Sequence, residues 1–282
     1  MFFWSMAWFF FKAGMFHGNK SFKETIKKSF RRLIVPFVVF SLLGEIVYVL
    51  RMVLEHHPFI FSAFVKSEII ELVRSGYLIG NLPLWFLLSL FVIKFFFSII
   101  NNQIGRVVLL FVSLILSILM HIINPPILWL MNIPMGMFFY ATGFFLSEKQ
   151  YKKQVFFLSL ICLLLIASFI DSEVSIVRLM TIFGNFYIWI LYALVAVIVA
   201  NNLSKWLFSH MEIGLLSSIG KNSMLLYVTH WPIFKLVHTI ISLVVVSNTY
   251  IQLSVMTIVL FIIYNIEMRL INRYKLGYLI GI

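Results

Sequence analysis

Along this chain the apolar residues stand in long runs and the polar ones in short clusters between them. Nine runs read as membrane-crossing helices, over about 2–16, 33–54, 83–100, 107–123, 127–146, 155–170, 179–200, 222–246 and 251–270. Several are about 17 to 25 residues long, enough to carry an α-helix across ~30 Å of hydrocarbon. No ten-residue segments of alternating character are present, which excludes a transmembrane barrel. The pattern predicts an all-α, polytopic integral membrane helix bundle of about nine spans, read as one domain over 1–282. The longest external connection is 55–82, where the I-I-E-L-V spacing predicts a short amphipathic helix on the membrane surface.

Composition agrees with that pattern. The 282 residues are 62% hydrophobic and 11% charged, with a mean hydropathy of +1.03. A soluble domain carries about 25% charged residues, so these are too few to coat a water-facing surface. The single cysteine, Cys162, lies in an apolar run, which rules out an intrachain disulfide and fits a buried filler. The first run lacks a basic leader and a small-residue cleavage site, so a cleavable signal peptide is not expected.

The net charge of +12 would suggest nucleic acid in a soluble protein. Here its placement matters more, and no nucleic-acid partner is expected. Loop 17–32 alone holds six basic residues and one acid. Fifteen basic residues fall on its side of the membrane and four on the other: Arg51, Lys66, Arg74 and Arg178. The second side also holds Glu55, Glu68, Glu71, Asp171 and Glu173. Lys and Arg mark cytoplasmic loops, so loop 17–32 and the C-terminus are expected in the cytoplasm, the protein sitting in the cell (inner or cytoplasmic) membrane. Nine spans then place Met1 outside, with nothing upstream to drive translocation of a first run of about fifteen residues. One more helix before Met1 would put both ends inside, so a missing first helix is expected.

Candidate chemistry lies in four places. Lys20, Lys23, Lys27, Lys28, Arg31 and Arg32 precede a span directly, and Lys20, Lys27 and Arg31 recur at helical spacing. Two readings stand for them: an anchor on lipid head groups, or a phosphate cradle, since Arg forks match phosphate oxygens at two points. In SSIGKNSMLLYVTHWPIF a turn opens a helix, with Asn222 or Ser223 able to cap it. Tyr227 and His230 follow on one face, and Pro232 then loosens the backbone. An ionisable residue inside a span is a functional candidate, although isolated ones such as His121 and His238 read as packing residues; for His230 both readings stand. Glu45 reads as the only acid well inside a span, and needs a partner there. Lys12, Lys94 and Lys235 can snorkel to an interface, and Trp85–Phe86 fits an interfacial aromatic anchor. No two histidines or acids recur at i, i+4 on one helix, so no metal site is expected; His56 and His57 lie in an exposed loop. No inverted repeat of the transporter kind is present.

Four stretches, in order, resemble the membrane-bound acyltransferase 3 family, similar to the sugar O-acetylases of capsule, O-antigen and peptidoglycan. MAWFFFKAGMF resembles the family's second helix, F-H-M-P-L-F-F-F-x-S-G-[FY]. KKSFRRLIVPF resembles the basic approach to the third, with Arg32, Leu33 and Pro36 matching. NLPLWFLLSLF resembles its W-F-L segment. IGKNSMLLYVTHWPI resembles the late I-G-x-x-S-x-x-x-Y-x-x-H motif, with Ile219, Gly220, Ser223, Tyr227 and His230 in place.

The resemblance implies a parent fold of ten spans whose first helix carries an arginine and the histidine thought to be catalytic. Here Ser5 stands in the place of the second-helix histidine and Ala7 in that of its proline, while Trp8 and Lys12 look like a subgroup variant. The implied activity is that of an acyltransferase for groups other than amino-acyl groups. An acetyl group would pass from acetyl-CoA, as co-substrate, to a hydroxyl of a cell-surface or lipid-linked glycan, with no metal. Arg31, Arg32 and Lys28 would hold the donor phosphates. Glu45, Trp85, Ser223, Tyr227 and His230 would line the pocket. With the family histidine absent from this sequence the catalytic residue is left unassigned, His230 standing as a candidate chiefly for shaping the pocket. Membrane lipids and a glycan or lipid-linked sugar acceptor are the implied partners. Two rival readings remain: a non-catalytic remnant or partner-binding membrane protein, and a polysaccharide transporter, against which stand the missing repeat and the few midplane charges.

Overall fold

The computed structural model describes residues 5–18, 21–147, 157, 160–165, 186–210, 220, 223–243 and 249–280. Among these there is no strand. The helices are α1 (Ser5–Met15), α2 (Phe22–Ser29), α3 (Val35–Leu54), α4 (Phe61–Ser75), α5 (Trp85–Ile99), α6 (Gln103–Ile123), α7 (Leu128–Leu146), α8 (Phe186–His210), α9 (Ser223–Leu243) and α10 (Thr249–Tyr274). A π-helical turn, Phe30–Ile34, joins α2 to α3, and 3-10 turns form over Ile79–Leu84 and Leu276–Ile280.

Seven stretches among the described residues are long and apolar enough to cross a membrane. The chain is a multi-pass membrane protein. With 11 residues, α1 is not one of the seven. The span read over 155–170 lies outside the described residues apart from 157 and 160–165, as do Lys20, Lys149, Lys152, Lys153, Asp171, Glu173, Arg178, Ile219, Lys221 and Asn222. Helix α6 shows how a lipid-facing helix is written. Ile104, Val108, Phe111, Ile115, Leu119 and Ile122 form an exposed stripe, while Ser113 and Ser117 are buried and return their hydroxyls to the carbonyls of Leu110 and Ser113. The apolar face turns outward because hydrocarbon, not water, surrounds it.

The described chain forms two compact units, one from Met1–Thr25 with Val92–Gly214, the other from Ile26–Phe91 with Leu215–Ile282. In the first, α7 is the central element, packed by α1 and α6, with α8 also against α1. Ala7, Phe10, Phe11 and Gly14 recur at helical spacing and form the buried face of α1. Two glycines set the α1–α7 distance. A Cβ on Gly14 would meet the Tyr140 carbonyl oxygen at 1.9 Å, and one on Gly143 would meet that of Phe11 at 2.0 Å. Small residues let helix backbones touch in this way.

In the second unit α3 packs against the Ile79–Leu84 turn and α9, and α9 packs against α10. Gly80 lies on the backbone of Gly44, where an added Cβ would come within 2.3 Å of the Gly44 carbonyl. Helix α4 ends at Gly76, whose φ of 75° supplies the left-handed cap. Its Ile69, Ile70 and Val73 are exposed while Glu68 is buried, so the amphipathic helix expected over 55–82 forms with its acid turned inward. Trp85 and Phe86 are likewise buried, which corrects the reading of them as an outward aromatic anchor.

The π turn explains a second departure. Regular α spacing would put Lys27 and Arg31 on one face, but the α register stops at Ser29. Pro36 has no N–H to give to the carbonyl of Arg32, and its ring crowds that carbonyl. The preceding turn widens, and the N–H of Val35 reaches back to Phe30.

Candidate active site

The second unit gathers most of the residues singled out in the sequence. Glu45, in the middle of α3, accepts the N–H of Gly80 at 2.7 Å, and Glu68 accepts that of Ile79 at 2.9 Å. The next residue, Asn81, is fully buried. It donates from Nδ2 to the carbonyls of Phe40 (3.2 Å) and Val228 (2.8 Å), tying α3 and α9 to the turn. The Tyr227 hydroxyl donates to the carbonyl of Pro83, and its ring meets Phe86 edge-on. Buried Trp85 packs edge-on against the same Phe86.

His230, one turn on from Tyr227, is oriented by the backbone. Its Nδ1 lies 2.7 Å from the carbonyl of Tyr227 and 3.2 Å from that of Leu226. A carbonyl only accepts, so Nδ1 carries the hydrogen and Nε2 keeps the lone pair. Pro232 sits inside α9. Its missing N–H leaves the carbonyl of Val228, which Asn81 takes. Ser223 opens α9 and is exposed, one turn before Tyr227. Arg31 and Arg32 are exposed on the π turn, and Lys28 is exposed at the end of α2.

At the far end of α3 a cleft of about 390 Å³ is lined by Tyr48, Arg51, Met52, Glu55, His57 and Pro58. Arg51 donates from Nε to Thr239 Oγ1 (2.8 Å) and from Nη2 to Glu55 Oε1 (3.0 Å), and Thr239 donates to the same Glu55 oxygen (2.7 Å). That hydroxyl, ahead of the neighbouring Arg51, holds the Glu55 carboxyl below its usual range.

Three polar groups were not picked out from the sequence. Asn81 offers only the signal of an amide two residues before Pro83. Glu267 of α10, which shares a hydrogen bond with Thr229, sits near the end of its apolar run. His17, in the first unit, hydrogen-bonds the Tyr140 hydroxyl at 2.8 Å and is edge-on to Phe97 and Phe144, on which the Arg106 guanidinium also lies. Burial, then the charges of Arg106 and Lys94, pull its pKa down to about 4. Among the described residues no three His, Cys, Asp or Glu side chains are grouped to hold a metal.

The second unit thus holds a basic turn at one end of α3, a polar cleft at the other end, and a histidine whose Nδ1 is turned to its own helix backbone. The chain belongs to the acyltransferase 3 family: the family's acyltransferase domain matches residues 1–266. It is a membrane acyltransferase. No curated protein and no solved structure matches it.

Proposed function

We propose that the chain transfers an acetyl group from acetyl-CoA to a hydroxyl of a cell-surface or lipid-linked glycan, from a site in the second unit. The observation that carries this reading is the orientation of His230. Its Nδ1 is committed to the Tyr227 carbonyl, so Nε2 is available as a base. The acceptor oxygen attacks the thioester carbonyl carbon and gives its proton to Nε2. The C–S bond breaks, and the leaving thiolate takes that proton as free CoA thiol, leaving the acetyl ester on the glycan.

Donor and acceptor reach this site from opposite ends. Arg31, Arg32 and Lys28 would take the CoA phosphates on the cytoplasmic side that the charge distribution favours, with the C-terminus on the same side. The cleft around Arg51, Glu55 and His57 would receive the glycan from the other. Buried Trp85 and Phe86, beside Tyr227, would help keep out water that would hydrolyse the thioester. Nothing in this scheme uses a metal.

The test is transfer of labelled acetyl from acetyl-CoA to glycolipid extracted from the native membrane, using the full chain in lipid nanodiscs. His230→Gln should lower turnover by about 10²–10⁴-fold, while Arg31→Ala with Arg32→Ala should raise KM for acetyl-CoA more than it lowers kcat. Undiminished transfer by His230→Gln would remove His230 from the reaction. Absence of transfer by the unaltered chain would favour the non-catalytic reading.

A further inference from the structure

The first unit holds a polar cluster that acyl transfer at His230 does not use. The Lys12 ammonium on α1 donates to Oδ1 of Asn201 on α8. An ammonium only donates, so it fixes the amide with Oδ1 turned toward it and Nδ2 turned away. That Nδ2 is buried with no hydrogen-bond partner among the described residues, in a side chain that is 0% exposed. Lys205 lies one turn further along the same face of α8. It is close enough to Lys12 for the two charges to repel, and it is exposed, so the cluster opens outward. The Trp8 ring stands 5.7 Å from the Lys12 ammonium.

Two cations therefore lie near one another beside an amide whose N–H has no partner, and neither lysine is ion-paired among the described residues. Mutual repulsion and an unmet donor are both unfavourable at such a site. A group rich in acceptor oxygens and carrying negative charge relieves both. We propose that Lys12, Asn201 and Lys205 form a binding site for a phosphate-type anion. Its source is either a lipid head group or a soluble phosphate ester, since both present the same oxygens. A metal cation is the wrong charge for this set, and a neutral sugar would leave the two ammonium groups uncompensated.

The test titrates inorganic pyrophosphate calorimetrically into the full chain in nanodiscs of neutral phosphatidylcholine. An Arg31→Ala, Arg32→Ala background keeps the second basic cluster silent. Saturable binding is expected, weakened by about tenfold or more in Lys12→Met and in Asn201→Leu and retained in Lys12→Arg. Thermal midpoints confirm that each variant is folded. If phosphatidylglycerol in the nanodisc abolishes the pyrophosphate signal, the natural occupant is a lipid head group; if the signal survives, it is a soluble phosphate. No saturable binding, or binding equal in Lys12→Met and the parent, overturns the proposal. Because the readout is binding rather than turnover, it stands or falls apart from the acyl-transfer reading.

Discussion

Glu45 accepts a hydrogen bond from the backbone N–H of Gly80, Oε1 to N 2.7 Å, across 35 residues of sequence. The adjoining N–H of Ile79 goes to Glu68. Two successive amides of one 3-10 turn are thus satisfied by carboxyl oxygens from two different helices. The turn has few alternatives, because Gly80 is pressed against Gly44 and Asn81 is spent on two carbonyls of its own.

Replacing Glu45 by Leu therefore leaves the Gly80 N–H buried and unpaired. The expected loss of stability is about 1–3 kcal/mol, read as a lower thermal midpoint of the purified protein. Glu45→Gln keeps an acceptor oxygen in place and should recover most of the loss. Equal midpoints for Leu and Glu at this position would show that the hydrogen bond does not hold the turn.

At the α1–α7 contact, Gly14→Ala has nowhere to put its methyl group, since the obstruction is the Tyr140 backbone carbonyl rather than a movable side chain. The helices must separate, at a cost of roughly 1–3 kcal/mol. Gly18→Ala is the internal control, because nothing lies within 4 Å of an added Cβ there. Comparing monodisperse yields and midpoints of the two variants checks this.

His17 makes stability pH-dependent in a stated direction. Its pKa falls from 6.5 to about 4 on folding, so below 6.5 the unfolded chain binds a proton that the folded chain refuses. Its contribution is complete above that value and is lost as pH falls through about 4. The midpoint should drop across this window, and His17→Phe, which cannot titrate, should flatten that part of the profile. An unchanged slope would place the pH sensitivity elsewhere.

Glu55 supplies an acid-side counterpart. Its depressed pKa, set first by the Thr239 hydroxyl, means stability that is present above 4.5 and declines as pH falls below it. Thr239→Val removes that donor and should shrink the decline. A chemical-denaturation series from neutral to pH 3 distinguishes the two slopes.

What could be read in advance divides along physical lines. Apolar runs identify helices such as α3, α6 and α7 because lipid demands length and composition, both of which are local. The need of Glu45 for a partner was also local, since any acid in a span has it. The identity of that partner was not, because it is a backbone N–H brought near only by folding. The same holds for Lys12 and Asn201, 189 residues apart, and for His17 and Tyr140, 123 apart. Trp85 read as an anchor because an aromatic residue after a proline at a span's edge commonly is one; its burial depends on packing in the second unit, which spacing does not encode.

The wide turn at Phe30–Ile34 sets a phase relation along the chain. An α-helix advances about 100° and 1.5 Å per residue, and a π turn behaves as one residue too many between α2 and α3. The angular position of Lys27 and Lys28 relative to α3 is therefore fixed by a count of residues as much as by their identity. Deleting one residue from the turn would swing α2 by about a quarter of a revolution and carry its lysines to a different side of α3, although every basic residue remained. Substitutions there can be absorbed one at a time, whereas a change in length reorients the whole basic arm.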